Sequence, residues 1–209
     1  MTDATVPIDL RRKGDARLQV SRIAADLFWR DGVSATRGED IAEAAGIAPR
    51  TLWRYFRSKE SCVEPVLRLS ARRYLAVIEA WPLEASIDDY LGGAAVAGPV
   101  VYSPDDIRAI HMVTLGFDEP SLRSAWLMVC EEAERESWPI IARRLDLPAE
   151  SADLRRTAAA VAGAIRALND SLSVDFVATQ REPDSAEILG ALSTAFREAS
   201  GGRLGAAAV

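Results

Sequence analysis

Apolar residues recur every three or four positions along most of the chain, which is the spacing of amphipathic helices. In residues 15–31 this stripe consists of Val20, Ile23, Ala24, Leu27 and Phe28. No stretch of five or more residues alternates between β-branched and polar types, so the pattern gives no strand. It therefore predicts an all-α protein.

Glycine and proline divide the helical pattern into segments, because both residues interrupt helices. Gly32 and Gly46 follow the first two segments, and Pro49 occupies a first-turn position. Pro139 lies inside a long segment, where we expect a kink or a break near Trp138. With 15–31, the predicted helices number about nine: 38–45, 49–56, 58–80, 87–97, 105–117, 122–145, 153–178 and 184–199.

Two short helices joined by a glycine turn follow the first long helix, which is the arrangement of a helix-turn-helix motif. Gly46 can adopt the left-handed conformation that the turn needs. The residues expected to form its small core are Ile41, Ala45, Ile47, Leu52 and Phe56. Most of the remaining side chains of 49–55 then point away from this core.

Residues 36–60, TRGEDIAEAAGIAPRTLWRYFRSKE, resemble the signature of the TetR family of transcription regulators. The similarity extends over about residues 15–66. It implies an N-terminal three-helix DNA-binding domain and a C-terminal helical domain for ligand binding and dimerisation. The second short helix resembles the recognition helix that enters the major groove.

The resemblance assigns DNA contacts to individual residues of the motif and of the basic start of the chain. These residues are Arg11, Arg12, Lys13, Thr36, Arg37, Pro49, Arg50, Thr51, Trp53, Arg54, Tyr55 and Lys59. Three alternatives stay open. Arg50 and Arg54 can be ordinary solvated charges, Trp53 can pack beneath the motif, and residues 11–13 can be a disordered, solubilising start.

Three residues depart from the usual pattern of the signature. Trp53 stands where tyrosine is more usual, and Gly38 stands where an apolar residue is usual, so the second helix is expected to begin late or loosely. Ala48 replaces a frequent serine cap, which weakens the start of the recognition helix by about 1 kcal/mol.

Charge is distributed unevenly along the chain, although the net charge is −6. Residues 1–70 carry 12 Lys and Arg against 10 Asp and Glu, whereas residues 71–209 carry 13 against 21. A mildly basic front and an acidic remainder suit a protein that touches phosphate only near its N-terminus.

Other features indicate a cytoplasmic protein that does not enter membranes. No run approaches 18 apolar residues, and the first residues lack the apolar segment of a secretory signal. Cys62 and Cys130 are expected to be reduced thiols rather than a disulfide or a metal site. We expect no cofactor and no metal.

The predicted organisation has four parts: a flexible basic arm (1–14), the helix-turn-helix domain (15–60), a ligand-binding and dimerisation domain (61–200) and a disordered tail (201–209). By resemblance, the last two long helices form the homodimer interface, although an intramolecular core is the alternative. The interface candidates are Ala158, Val161, Ala162, Ile165, Leu168, Leu172, Leu189, Leu192 and Phe196.

The middle of the chain mixes aromatic, apolar and a few polar residues, as sites for small apolar ligands do. The ligand candidates are Trp81, Tyr90, Tyr102, His111, Met112, Leu115, Trp126, Cys130, Asn169 and Phe176. For each of them, plain core packing is the alternative. Residues 138–168 resemble regulators that recognise acyl-CoA-like effectors, which implies an acyl-chain-like ligand.

The sequence therefore predicts a repressor that binds a pseudo-palindromic operator as a dimer and is released by a small effector. An effector-independent regulator or an activator is the alternative. An enzyme is disfavoured, because the chain has one histidine and no His-Glu-x-x-His, Cys-x-x-Cys or phosphate-loop motif.

Overall fold

The structure is a computed structural model that describes residues 8–97, 101–181 and 184–208, with the side chains of 8–13 and 94–97 left out. Over these residues it contains nine α-helices and no strand, which confirms the predicted all-α class. The helices are α1 (Ile8–Asp31), α2 (Gly38–Ala44), α3 (Pro49–Tyr55), α4 (Glu64–Glu79), α5 (Ile87–Ala97), α6 (Pro104–Leu115), α7 (Pro120–Leu145), α8 (Ala152–Thr179) and α9 (Ser185–Ala199). A 3₁₀ turn, Glu60–Val63, leads into α4.

The chain forms two compact units. The first consists of the residues up to Leu69 together with Pro104–Trp126. The second consists of Ser70–Ser103 and the residues from Leu127 onward. The helices α4 and α7 therefore contribute residues to both units.

The first unit forms around the apolar face of α1. Phe28 and Ala24 of α1 are fully buried, as are Ile41 of α2 and Leu52 of α3. The hydroxyl of Ser21 on α1 accepts a hydrogen bond at 3.0 Å from the amide of Val66, one of the first-turn amides of α4. This bond fixes where α4 begins against α1.

Ion pairs join α6 to α1 within the first unit. Arg22 donates three hydrogen bonds to Asp105, the shortest at 2.6 Å, and Arg108 donates to Asp26 at 2.8 Å. The hydrogen bond from Arg22 holds the pKa of Asp105 below its usual range. Beside these pairs the ring of His111 stacks on Trp29 with centroids 3.7 Å apart. The helix α6 is thus an integral part of the first unit.

The second unit packs α5, α8 and α9 around a separate apolar core. Phe196 of α9 is 2% exposed and meets Trp81 edge to face at 6.0 Å. Arg144 of α7 lies over the Trp81 ring and donates to the carbonyls of Pro82 and Ala85 at 2.9 and 3.0 Å. Burial lowers the pKa of Arg144 to about 10. The arginine ties the end of α4 to α7.

Three structural details differ from the predictions. Residues 8–14 of the predicted flexible arm belong to α1. The predicted disordered tail packs on its own unit, because Leu204 is 1% exposed and the amide of Ala208 donates to Leu83 at 2.7 Å. The helix α7 continues through Pro139, so of the predicted kink or break the break is wrong.

Candidate DNA-binding surface

The turn between α2 and α3 has the geometry that the sequence predicts. Gly46 has a φ of +64°, and the amides of Gly46 and Ile47 donate to the carbonyls of Glu43 and Ala42 at 3.0 Å each. Glycine adopts this left-handed conformation without the steric cost that a side chain adds. Ala42 is fully buried, so α2 and α3 approach closely behind the turn.

The helix α3 begins with a proline in place of a side-chain cap. Ala48 makes no side-chain cap bond, as expected, but Pro49 occupies the first turn. Proline lacks the amide that a cap would satisfy and has a φ suited to a helix start. The missing serine therefore leaves the position of α3 intact.

Arg50 and Arg54 project from the exposed side of α3 with no acidic partner among the residues that the structure describes. Six other arginines of the first unit are paired with acidic residues. Those that pair with an aspartate or a glutamate are Arg22, Arg30, Arg37, Arg57, Arg68 and Arg108. The two positive charges of α3 are thus available to an external anion.

The other predicted contacts of α3 lie on its outer side or at its edge. Pro49 and Trp53 are exposed, whereas Thr51 and Tyr55 are half-buried. The guanidinium of Arg54 lies 5.3 Å from the centroid of the Tyr55 ring. The exposed side of α3 therefore combines two cations with aromatic surface.

Two residues that the resemblance assigns to DNA are instead engaged inside the protein. Thr36 is 3% exposed, and its hydroxyl donates to the carbonyl of Gly32 at 2.8 Å. The ammonium of Lys59 donates to the carbonyls of Val33 and Thr36 at 2.5 and 2.8 Å. Both side chains hold the loop between α1 and α2. The assignment of the buried Thr36 to DNA is corrected, whereas that of the half-buried Lys59 stays a prediction.

The start of α2 is held by a contact that the sequence analysis did not identify. The carboxylate of Asp40 accepts the amide of Arg37 at 2.8 Å and also pairs with the Arg37 guanidinium at 2.9 Å. The side-chain hydrogen bond from Arg37 lowers the pKa of Asp40. An acidic residue three positions after a helix cap is the signal that would have revealed it. It lets α2 begin at Gly38 rather than late, and it occupies the guanidinium of Arg37.

The side chains of Arg11, Arg12 and Lys13 lie outside the described residues, although their backbone belongs to α1. Their predicted contact with DNA stays a prediction.

The ligand candidates are divided between the two units. His111, Met112, Leu115 and Trp126 belong to the first unit, and the other six belong to the second. Trp81 lies in the core of the second unit, and the hydroxyl of Tyr90 donates to the carbonyl of Val77 at 2.9 Å. Tyr102 and Phe176 meet edge to face at 5.7 Å, and both are half-buried. The candidates thus do not form one cluster within a single unit.

Most of the predicted interface residues pack inside their own unit. Ala158, Val161, Leu192 and Phe196 are buried in its apolar core. Ile165, Leu168 and Leu189 pack against that core. The first four are corrected to intramolecular positions, whereas Ile165, Leu168, Leu189, Ala162 and Leu172 are half-buried, so their place in an interface stays a prediction.

Two further observations concern metal binding and membrane insertion, neither of which the sequence predicts. In the described part of the chain, no three His, Cys, Asp or Glu side chains are grouped as metal ligands are. No helix there is both long and apolar enough to span a bilayer.

Comparison with known proteins places the motif in a family. A family model described as "Bacterial regulatory proteins, tetR family" matches residues 17–66. The HTH-type transcriptional regulator TcmR of Streptomyces glaucescens is 33% identical over 141 residues, which are 65% of this chain and 61% of that protein. The HTH-type transcriptional repressor KstR2 of Rhodococcus jostii (strain RHA1) is 45% identical over 60 residues, 29% of each chain. The chain thus spans less than two thirds of these relatives.

Solved structures share the fold over nearly the whole chain. FadR from Bacillus halodurans, a fatty acid degradation regulator, superposes with a TM-score of 0.52 at 16% identity and covers 90% of this chain and 95% of its own. Salmonella enterica GusR has a TM-score of 0.53 at 18% identity, with coverage of 96% and 98%.

The matched motif, the relatives and the shared helical fold agree with one another. The family and these relatives are transcriptional regulators rather than enzymes. Residues 17–66 of this chain are thus similar to the tetR family of bacterial regulatory proteins, and the relatives matched beyond them are regulators of the same kind.

Proposed function

We propose that this protein is a transcriptional repressor that binds a pseudo-palindromic DNA operator as a homodimer and is released by a small apolar effector. The observation that carries the DNA-binding part is the pair of unpaired arginines on the exposed side of α3. Arginine bonded to guanine is the commonest specific contact in the major groove. The repressor relative from Rhodococcus jostii, 45% identical over 60 residues, supports the same direction of control.

Arg54→Ala tests the DNA-binding part. The probe is a duplex recovered by the protein from a pool of random 30-base-pair DNA. We expect affinity for this duplex to fall by about 1–3 kcal/mol, because one arginine contact in the groove is lost. Fluorescence anisotropy at fixed salt measures it.

Arg135→Ala is the matched control for this experiment. Arg135 is an exposed arginine of α7 that pairs with Glu131 at 2.6 Å. Because an arginine is again replaced by alanine, the net charge changes by the same amount as in Arg54→Ala. We expect near-native affinity for this variant. Equal affinities of the Arg54→Ala and Arg135→Ala variants would remove α3 from the DNA surface.

In the proposed homodimer, the interface lies on the side of α8 that faces away from the core of its own unit. We call this the outer stripe of α8, and its members, spaced four and three residues apart, are Ala160, Ala164, Ala167, Ser171, Val174 and Ala178. All are exposed or half-buried, and five of the six are small. A Cβ added at the neighbouring Gly163 would meet nothing within 4 Å. Small side chains let two helices approach closely, as in intermolecular four-helix bundles.

The effector part rests on the second unit. Of the ligand candidates, Tyr102 and Phe176 form a half-buried aromatic pair, and Asn169 lies two turns before Phe176 on α8. Aromatic surface with one polar group suits a small apolar ligand. The likeness of residues 138–168 to regulators of acyl-CoA-like effectors points to an acyl-chain-like molecule.

Such a regulator acts in the cytoplasm, where the DNA is.

An effector-independent regulator or an activator is the second candidate. A ligand-dependent loss of affinity for the recovered duplex distinguishes the first candidate from it, because binding of effector and of DNA must affect each other reciprocally.

A further inference from the structure

Two of the residues that depart from the family pattern are in direct contact. A Cβ built on Gly38, the first residue of α2, would lie 2.2 Å from Cζ2 and 2.4 Å from Cη2 of the Trp53 indole. Real Cβ atoms do not approach other atoms so closely, so the six-membered ring of the indole occupies the space of a side chain at position 38. The two departures are therefore complementary in size.

The backbone of Gly38 does not itself require glycine. Gly38 is absent from the residues with positive φ, and it occupies a helical position. Glycine in a helix is less favourable than alanine because it loses more conformational freedom on folding. Among the residues that the structure describes, the three atoms nearest to that Cβ all belong to the indole of Trp53, so it is the indole that excludes a side chain there.

Trp53 links the start of α2 to the exposed side of α3. Its neighbour Leu52 is fully buried beneath α3, whereas Trp53 remains 44% exposed and is followed by Arg54. A side chain at position 38 would therefore require the indole to move, either alone or together with the part of α3 that carries it and Arg54. The contact lies at the outer edge of the motif, about 100° around α3 from its buried leucine.

We propose that Gly38 is a positioning residue for DNA recognition, in which the missing side chain seats the Trp53 indole and so fixes α3 and its arginines against α2. This inference rests on the proposed function. It extends that function to a residue whose own side chain cannot touch DNA. The pair acts as one unit, so the effect of a side chain at position 38 depends on the residue at position 53.

A double-mutant cycle tests the pair, with Gly38→Ala made in the native chain and in the Trp53→Tyr variant. The family pattern combines tyrosine with an apolar side chain at the position of Gly38, so the tyrosine background is expected to accept the new methyl group. In the native chain we expect Gly38→Ala to lower Tm by about 3 °C or more. Affinity for the recovered duplex should fall about tenfold. It is to be measured at about 15 °C, after circular dichroism has been used to check that all variants are folded at that temperature.

In the tyrosine background the sign of the stability effect should reverse. There we expect Gly38→Ala to raise Tm by roughly 2 °C, because alanine favours the helix and no longer meets the indole. Affinity should stay within about twofold of the Trp53→Tyr variant. The control is Gly92→Ala, an exposed glycine of α5 whose added Cβ meets nothing, which should raise Tm without changing affinity.

Equal changes in Tm and affinity from Gly38→Ala in both backgrounds would overturn the inference. A reversal in Tm without a loss of affinity in the native chain would also overturn the positioning role, leaving only a packing contact. If the native chain recovers no DNA from the pool, the proposed function fails. The reversal in Tm then still shows whether the Trp53 indole occupies the space of a side chain at position 38.

Discussion

Single residues of the motif owe their roles to bonding partners that lie far away in sequence. Lys59 shows this most clearly, since its ammonium bonds to two carbonyls more than 20 residues earlier. The signature gave the residue type but not the direction of the side chain. A lysine before a helix can serve a phosphate or a loop equally well, and only the fold decides between them.

Lys59→Met separates these two roles. Removing the ammonium leaves the carbonyls of Val33 and Thr36 without their charged donor, so we expect the free energy of unfolding to fall by about 1–3 kcal/mol. The slope of log affinity against log salt for the recovered duplex should stay unchanged, because no phosphate contact is lost. An intact Tm with a slope reduced by about one would instead identify Lys59 as a phosphate contact.

The contact between Gly38 and Trp53 likewise depends on the fold and not on the residue types alone. Sequence reasoning identified both as departures, and it expected a loose start of α2. The structure shows that the larger indole fills the space left by the glycine, while Asp40 caps the helix start. The pairing was not predictable, because it depends on where α3 crosses α2.

At the level of helices, periodicity predicted nearly all of the elements. All nine α-helices of the described residues coincide with predicted segments, because one apolar stripe is enough to mark a helix. Periodicity does not reveal what covers a stripe. The apolar side of α8 packs on its own unit, so the interface predicted from Ala158, Val161, Leu192 and Phe196 was wrong. In the proposed dimer, the partner of α8 packs on the outer stripe.

Ala167→Arg tests the outer stripe as an interface. Ala167 is exposed at the middle of the stripe, so an arginine there is compatible with the folded unit but not with closely packed partner helices. We expect light scattering to give about twice the chain mass of 22.7 kDa for the native protein and a mass near 22.7 kDa for the variant.

Ala159→Arg is the matched control, because Ala159 is also exposed on α8 but lies about 80° around the helix from Ala167. It should remain dimeric. A dimeric Ala167→Arg variant would place the interface elsewhere.

For the whole molecule, the division into two units follows the division of charge only in part, because residues 104–126 of the acidic remainder belong to the first unit. The mildly basic first 70 residues contain the surface with unpaired arginines, and the acidic remainder contains most of the second unit. The sequence placed the helix-turn-helix correctly, but it did not predict that α6 belongs to the first unit, because that assignment rests on ion pairs between residues about 80 positions apart. Ligand contacts were the least predictable, since aromatic residues mark core and pocket alike.

Selection from a random pool of 30-base-pair duplexes by the full chain, followed by sequencing, tests the central claim most directly. A dimer with one recognition helix per subunit predicts an enriched inverted repeat whose half-sites are centred about 34–36 Å apart, or one helical turn of DNA. An enriched single half-site would contradict the dimer, and a pool without any enriched sequence would contradict DNA recognition itself.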